Sequence, residues 1–190
     1  MDRVKMEAGV RLFLEGMGER FEGDDLDATP DRVAKAWIED LVAGYGLDPD
    51  SELTWTTAPE GTGLVVVRDI AFTSVCVHHL LPFTGVAHLA YQPRVRLAGL
   101  SKLGRVVDIH ARRLQIQERL TAEIVETLER GLDPHGAVVV LAAEHACMTL
   151  RGVKKAGSSL LTVASSGIYR SDAASRREVL NLLVTGRAPG

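Results

Sequence analysis

Apolar residues in the first part of the chain recur at helical spacing. Val4, Val10, Leu12, Phe13, Leu14 and Met17 predict one helix that ends near Gly18. Residues 24–31 are mostly polar and read as a loop, in which Thr29 and Pro30 supply the N-cap and first position of a second helix. That helix carries Val33, Trp37, Leu41 and Val42 on one face and should stop near Gly44 or Gly46. Residues 48–63 are rich in Pro, Gly, Thr and acidic side chains, the pattern of a linker. From Leu64 onward the period changes to two, with β-branched runs predicting strands at 64–67, 86–91, 95–97, 137–146 and 160–164. Gly99-Leu100-Ser101 leads into a helix with Leu103, Val106 and Val107 inward, and Ile116, Leu120, Ile124 and Leu128 mark a second that should end at Gly131. Ser171 or Asp172 should cap a last helix bearing Val179, Leu182 and Leu183. The expected organisation is a helical N-terminal segment (1–47), a linker (48–63) and an α+β domain (64–190) whose antiparallel sheet carries helices on one face.

Composition narrows the function classes. Of 190 residues, 46% are hydrophobic, enough for a core that needs no staples. A formal net charge of −3 gives no global reason to expect nucleic acid or a membrane surface as partner, so any polyanion bound should be small. There is no apolar run long enough to span a bilayer. Residues 1–20 are charged and amphipathic, without the apolar centre of a signal peptide, so a cytoplasmic protein is expected. In a reducing compartment, the two cysteines are expected in metal or thiolate chemistry rather than in a disulfide.

Both cysteines stand beside histidines, in Cys76-Val77-His78-His79 and in His145-Ala146-Cys147. Taken singly, a cysteine reads as core and His145 as a satisfied core histidine. Two such clusters in one short chain point instead to a soft metal. Cys76, one histidine of the pair and Cys147 would give the three protein ligands of a catalytic zinc site. Strand alternation from Ala142 to Arg151 would set His145, Cys147, Thr149 and Arg151 on one face. Ser101 and Lys102 open a helix whose free N–H groups favour an anion, and Arg105 lies one turn on. Arg32 and Lys35 repeat that spacing on the N-terminal helix, with Arg151 as a fifth cation, although charged helix faces are most often simply solvated. By the same reasoning Glu118, off the apolar stripe, faces solvent, and Arg112-Arg113 is a solvated basic step.

Four motifs in order carry a family resemblance: Cys76-x-His78-His79-Leu-Leu-Pro-Phe-x-Gly85, Gly99-Leu-Ser101-Lys102-Leu-x-Arg105, Arg112-Arg113-Leu-Gln-x-Gln117-Glu118-Arg-Leu-Thr121, and His145-x-Cys147-Met-x-x-Arg151-Gly-Val-x-Lys155. Together with Thr29-Pro30-x-Arg32-Val-Ala-Lys35 they resemble GTP cyclohydrolase I over nearly the whole chain. The resemblance implies an enzyme that opens the imidazole ring of GTP at C8, releases formate and forms 7,8-dihydroneopterin triphosphate, the first step of tetrahydrofolate and pterin biosynthesis. It implies zinc on Cys76, His79 and Cys147, and acid/base roles for His78 and His145. Gln117 and Glu118 would hold the guanine edge, and Ser101, Lys102, Arg105, Arg151, Arg32 and Lys35 the triphosphate. It further implies the T-fold, a four-stranded antiparallel sheet with two helices on one face, and a homo-oligomer, a decamer, with sites between subunits. Three usually polar family positions are apolar in this chain: Val77, Ala142 and Val163. These departures admit two other readings, the same ring-opening chemistry on another purine nucleotide, and a non-catalytic nucleotide-binding ring subunit.

Overall fold

The first apolar stripe folds as helix α1 (Arg3–Gly16), where the Asp2 side chain caps the first turn by accepting from the Lys5 N–H at 3.1 Å. The computed structural model describes residues 1–19 and 26–185, so Asp24 and Asp25 of the expected loop lie outside the described residues. Helix α2 (Thr29–Ala36) starts one residue earlier than expected, with Ala28 at the N-cap; Pro30 still falls in the first turn, where no N–H is needed. The chain then tightens through a π turn (Trp37–Leu41) and a 3-10 turn (Ala43–Gly46). Gly44 is required there, because a Cβ would come within 2.1 Å of the Ile109 carbonyl oxygen.

The stretch expected as a linker holds structure of its own. Asp48 caps and Pro49 opens a short helix α3 (Pro49–Glu52), the N-cap and N1 pairing that the Asp-Pro sequence encodes. Leu53 is buried in the main core, and strand β1 (Trp55–Thr57) follows. Strand β2 (Val65–Cys76) is much longer than its period-two signal, because a bulge at Arg68-Asp69 interrupts the alternation. Asp69 adopts φ 59° there and donates its N–H to His88 Nδ1 at 3.1 Å. β3 (Pro82–Gln92) returns antiparallel to β2. β4 (Arg96–Ala98), read from the pattern as part of the sheet, pairs with β1 in a separate ribbon, where the Arg96 guanidinium lies 4.7 Å over the Trp55 ring.

The main sheet adds β5 (Leu114–Gln115), β6 (Gly136–His145) and β7 (Leu160–Ser165) in the order β5-β2-β3-β6-β7. Its four long strands are antiparallel, as expected. The fifth, β5, pairs parallel to the end of β2, and two residues are too few to show a period. Helices α4 (Leu100–Ala111) and α5 (Gln117–Leu132) cover one face. There Leu103, Val106, Val107, Leu120, Ile124 and Leu128 meet Phe72, Phe83, Leu89 and Leu141 in the main core. Full burial of one such leucine contributes roughly 1.5–3 kcal/mol. α5 runs past Gly131 to a left-handed cap at Asp133, φ 44°; Gly131 instead makes room for Leu53, whose Cδ2 a Cβ would meet at 2.6 Å. The opposite face is covered by the C-terminal α7 (Ile168–Ser171) and α8 (Ala173–Thr185) through Tyr169, Val179 and Leu183, with Asp172 accepting from the Ala174 N–H as its cap.

A buried polar set ties α4, β5 and α5 together. His110 Nε2 bonds Thr127 Oγ1 at 2.9 Å, and Gln115 Nε2 donates to Glu123 at 2.7 Å and to the His110 carbonyl at 3.1 Å. Burial pushes the His110 pKa down, partly opposed by Glu123. These contacts hold β5 beside Cys76, and so support the site described next. Among the described residues no helix is long and apolar enough to cross a membrane.

Candidate active site

The turn between β2 and β3 carries the first cluster. Its frame is set by backbone bonds: Cys76 N–H donates to Leu81 O, Leu80 N–H to Cys76 O, and Val77 N–H to Gln115 O at 2.9–3.0 Å. Leu80 takes φ 54°, a conformation that costs a bulky residue energy and persists because the bonds around it leave no alternative. Gly85 lets β3 press against β6, since a Cβ there would lie 2.0 Å from the Ala142 carbonyl oxygen. Cys76 is buried while His78 and His79 are exposed, with its Sγ 3.9 Å from His78 Nδ1 and 3.8 Å from His79 Nδ1.

The second cluster departs from the expected strand. β6 ends at His145, and the chain coils into a single helical turn, α6 (Ala146–Thr149), closed by Leu150 N–H to Ala146 O and by Thr149 Oγ1 to the His145 carbonyl. His145, Cys147, Thr149 and Arg151 therefore do not share a strand face. The coil swings Cys147 toward the first turn instead, and one ligand atom each of Cys76, His79 and Cys147 lies within 4.8 Å of the others. Ligands at zinc bond lengths of about 2.3 Å (S) and 2.0 Å (N) in a tetrahedron stand roughly 3.5–4 Å apart; Cys76 Sγ and His79 Nδ1 are already 3.8 Å apart, and the chemistry of the donor set suits that ion. Both thiols are free. Burial, then the neighbouring Cys76, pushes the Cys147 thiol up, with Arg151 opposing. A metal binding here displaces the proton.

His145 faces the same corner. Its ring stacks on Phe83, directly across the strands, at 4.5 Å between centroids and 3° between planes. Burial lowers its pKa, and the Glu118 carboxylate opposes that shift. Glu118 is thus exposed, as its helical position predicts, and also near enough to act on the site. Gln117 differs from its neighbour: only 1% exposed, it bonds His145 Nε2 through Oε1 at 2.8 Å, while its Nε2 meets Leu141 O, Leu160 O and Thr162 Oγ1. Thr162 and Thr121 complete this contact, a role that the sequence pattern assigns to neither. Strand alternation from Leu160 was the available signal for Thr162.

The cations fall into separate groups. Ser101 is exposed in the first turn of α4, which has no side-chain cap and so keeps free N–H groups. Arg105 and Lys102 converge on Glu52 of α3 at 3.0 and 3.9 Å, a contact the linker reading missed. Arg32 and Lys35 are exposed on α2, and Lys35 stands 4.0 Å from Glu39. Arg151 is exposed after α6. Arg113 is not a solvated charge: it donates to the Gly44 and Leu47 carbonyls and fastens the N-terminal segment to the core. Of the three departures, Val77 sits exposed in the turn between β2 and β3, whereas Ala142 and Val163 alternate onto the sheet face away from α5, beside Val86 and Val140.

Cys76, His79 and Cys147 thus form a set of thiol and imidazole groups that could hold a metal ion, with His78 and His145 beside it in the chain. The family model of GTP cyclohydrolase I matches residues 6–184, and the chain belongs to that family. Its relatives include the GTP cyclohydrolase 1 of Streptococcus agalactiae serotype Ia, 45% identical over 97% of this chain and 99% of the relative. Those of Pelotomaculum thermopropionicum and Thermoanaerobacter pseudethanolicus are 48% and 47% identical, each over 96% of this chain and 97% of the relative.

Proposed function

We propose that the chain hydrolyses GTP at C8 to give formate and 7,8-dihydroneopterin triphosphate, the first step of tetrahydrofolate and pterin biosynthesis. The observation that carries this reading is the convergence of Cys76, His79 and Cys147 within 4.8 Å, next to His145, in a member of this family. Cys76, His79 and Cys147 would hold zinc, which when bound supplies Lewis-acid activation of the attacking water. His145, kept neutral by burial, takes up and returns protons during ring opening, and the exposed His78 serves the other transfer. Glu118 accepts hydrogen bonds from the guanine edge. The open N-terminus of α4, with Ser101, Lys102, Arg105 and Arg151, receives the triphosphate, which displaces Glu52 as partner of the two α4 cations.

Arg32 and Lys35 reach the phosphates from the helical N-terminal segment, in an assembly whose sites lie between subunits. An unpaired edge supports such an assembly: β7 ends the sheet and exposes Leu160, Leu161 and Val163. We read the protein as a cytoplasmic homo-oligomer, a decamer by family, with its catalytic unit from residue 64 onward. A purine nucleotide panel followed by formate release, and by pterin fluorescence after oxidation, tests the substrate. GTP should exceed ATP and ITP by at least about 10²-fold, because the Glu118 carboxylate needs the guanine donors. Preference for another purine nucleotide would transfer the chemistry to that substrate and make Val77, apolar where the family is usually polar, the first residue to substitute.

A further inference from the structure

Gln117 is buried at the first position of α5, and its amide leaves no ambiguity about which end is which. Its Nε2 stands 3.1 Å from Leu141 O, 3.0 Å from Leu160 O and 3.0 Å from Thr162 Oγ1. Two of these are carbonyl oxygens, which only accept. Turning the amide over would press Oε1 against both of them, so the oxygen must be the atom that faces His145. At 2.8 Å from His145 Nε2, an amide oxygen can only accept a proton, so the proton of neutral His145 sits on Nε2. Stacking on Phe83 fixes the plane of the ring, and a half-turn of the ring within that plane's stack would replace Nε2 by a carbon and lose the bond.

The hydroxyls behind Gln117 orient consistently. Thr121 Oγ1 donates to the Gln117 carbonyl at 2.7 Å, so across the 2.6 Å contact the Thr162 hydroxyl is the donor and Thr121 the acceptor. That leaves a lone pair on Thr162 for the Gln117 amide. The two protons on Gln117 Nε2 are shared among three acceptors, Leu141 O, Leu160 O and Thr162 Oγ1, which keeps Oε1 as the atom that faces His145.

We infer that Gln117 is a positioning residue that holds His145 in the Nε2–H tautomer and presents Nδ1 as the nitrogen that takes up and releases protons, with Thr162 and Thr121 anchoring Gln117. The inference rests on the acid/base role given to His145 above. It also moves Gln117 from the guanine edge to the histidine, leaving guanine recognition to Glu118.

The test uses the zinc-loaded full-length protein labelled with ¹⁵N-histidine, observed by long-range ¹H–¹⁵N correlation and assigned with His145→Gln. Wild type should show His145 protonated on Nε2 and bare on Nδ1; a proton on Nδ1 overturns the inference. Gln117→Met should mix the tautomers and lower kcat by about 10²-fold or more, with KM for GTP and zinc content close to wild type. A KM raised more than about tenfold at unchanged kcat, with the His145 spectrum unaltered, would mark Gln117 as a substrate contact and sink the idea. Should Gln117→Met fail to fold, Thr162→Val and Thr162→Ser decide. A kcat lowered by Val and restored by Ser supports the anchor, and equal kcat in both overturns it. The spectrum is readable whether or not GTP is turned over, so failure of the proposed reaction and failure of this inference are separate results.

Discussion

A Cys147→Ala protein is expected to fold and to lose both its zinc and its formate release. Cys147 sits on the single turn of α6, partly exposed at the margin of the core, so truncating it removes little packing. What it removes is one of three ligand groups gathered within 4.8 Å, leaving Cys76 and His79. Changes to groups that merely surround a metal cost about 10–100-fold in affinity or activity, so loss of a ligand should exceed about 10²-fold. Because metal binding adds to folding free energy, the variant should melt where zinc-stripped wild type melts. Zinc per chain and melting temperature, read on the same sample, check this. A variant that keeps one zinc per chain would remove Cys147 from the metal site.

Loss of a proton-transfer histidine should separate catalysis from metal binding. His78→Ala is the cleaner probe, since His78 is exposed and meets Cys76 only through a long 3.9 Å contact. We expect kcat to fall about 10²–10⁴-fold with one zinc retained per chain. His145→Ala should lose rate to a similar degree, and it also strips Phe83 of its stacking partner and leaves Gln117 Oε1 unpaired. An orphaned buried acceptor costs roughly 1–3 kcal/mol, so this second variant should also melt lower. Steady-state rates and metal analysis check both. A non-catalytic nucleotide-binding subunit predicts no formate release from wild type or either variant, leaving only the lower melting of His145→Ala.

The convergence of Cys76, His79 and Cys147 was legible because cysteine and histidine are informative wherever they cluster, and the order of the motifs carried the rest. The path by which Cys147 arrives was not. Ala-Cys-Met-Thr has no strong turn signal, and simple alternation carried β6 one residue too far, to Ala146, and its shared face on to Arg151; only hydrogen bonds at the His145 carbonyl and Leu150 N–H reveal the coil. The core faces of α4 and α5 followed from period alone, since their apolar stripes are continuous. β2 was cut short in the reading because a bulge at Asp69 breaks the period, and β5 is too short to have one. Glu52 beside Lys102 and Arg105, and Arg113 on the Gly44 and Leu47 carbonyls, are tertiary contacts that charge patterning along the chain does not encode. The same holds for Gln117: the family resemblance implied a substrate contact, and only its burial, its three acceptors and its Oε1 contact tie it to His145.

The central claim is metal-dependent hydrolysis of GTP at C8. The most direct measurement follows [8-¹³C]GTP by NMR with zinc-loaded protein and with the same preparation after zinc removal. The account predicts one equivalent of ¹³C-formate per GTP consumed with zinc, little or none after removal, and recovery on adding zinc back. Zinc-loaded protein that binds GTP yet releases no labelled formate would contradict it.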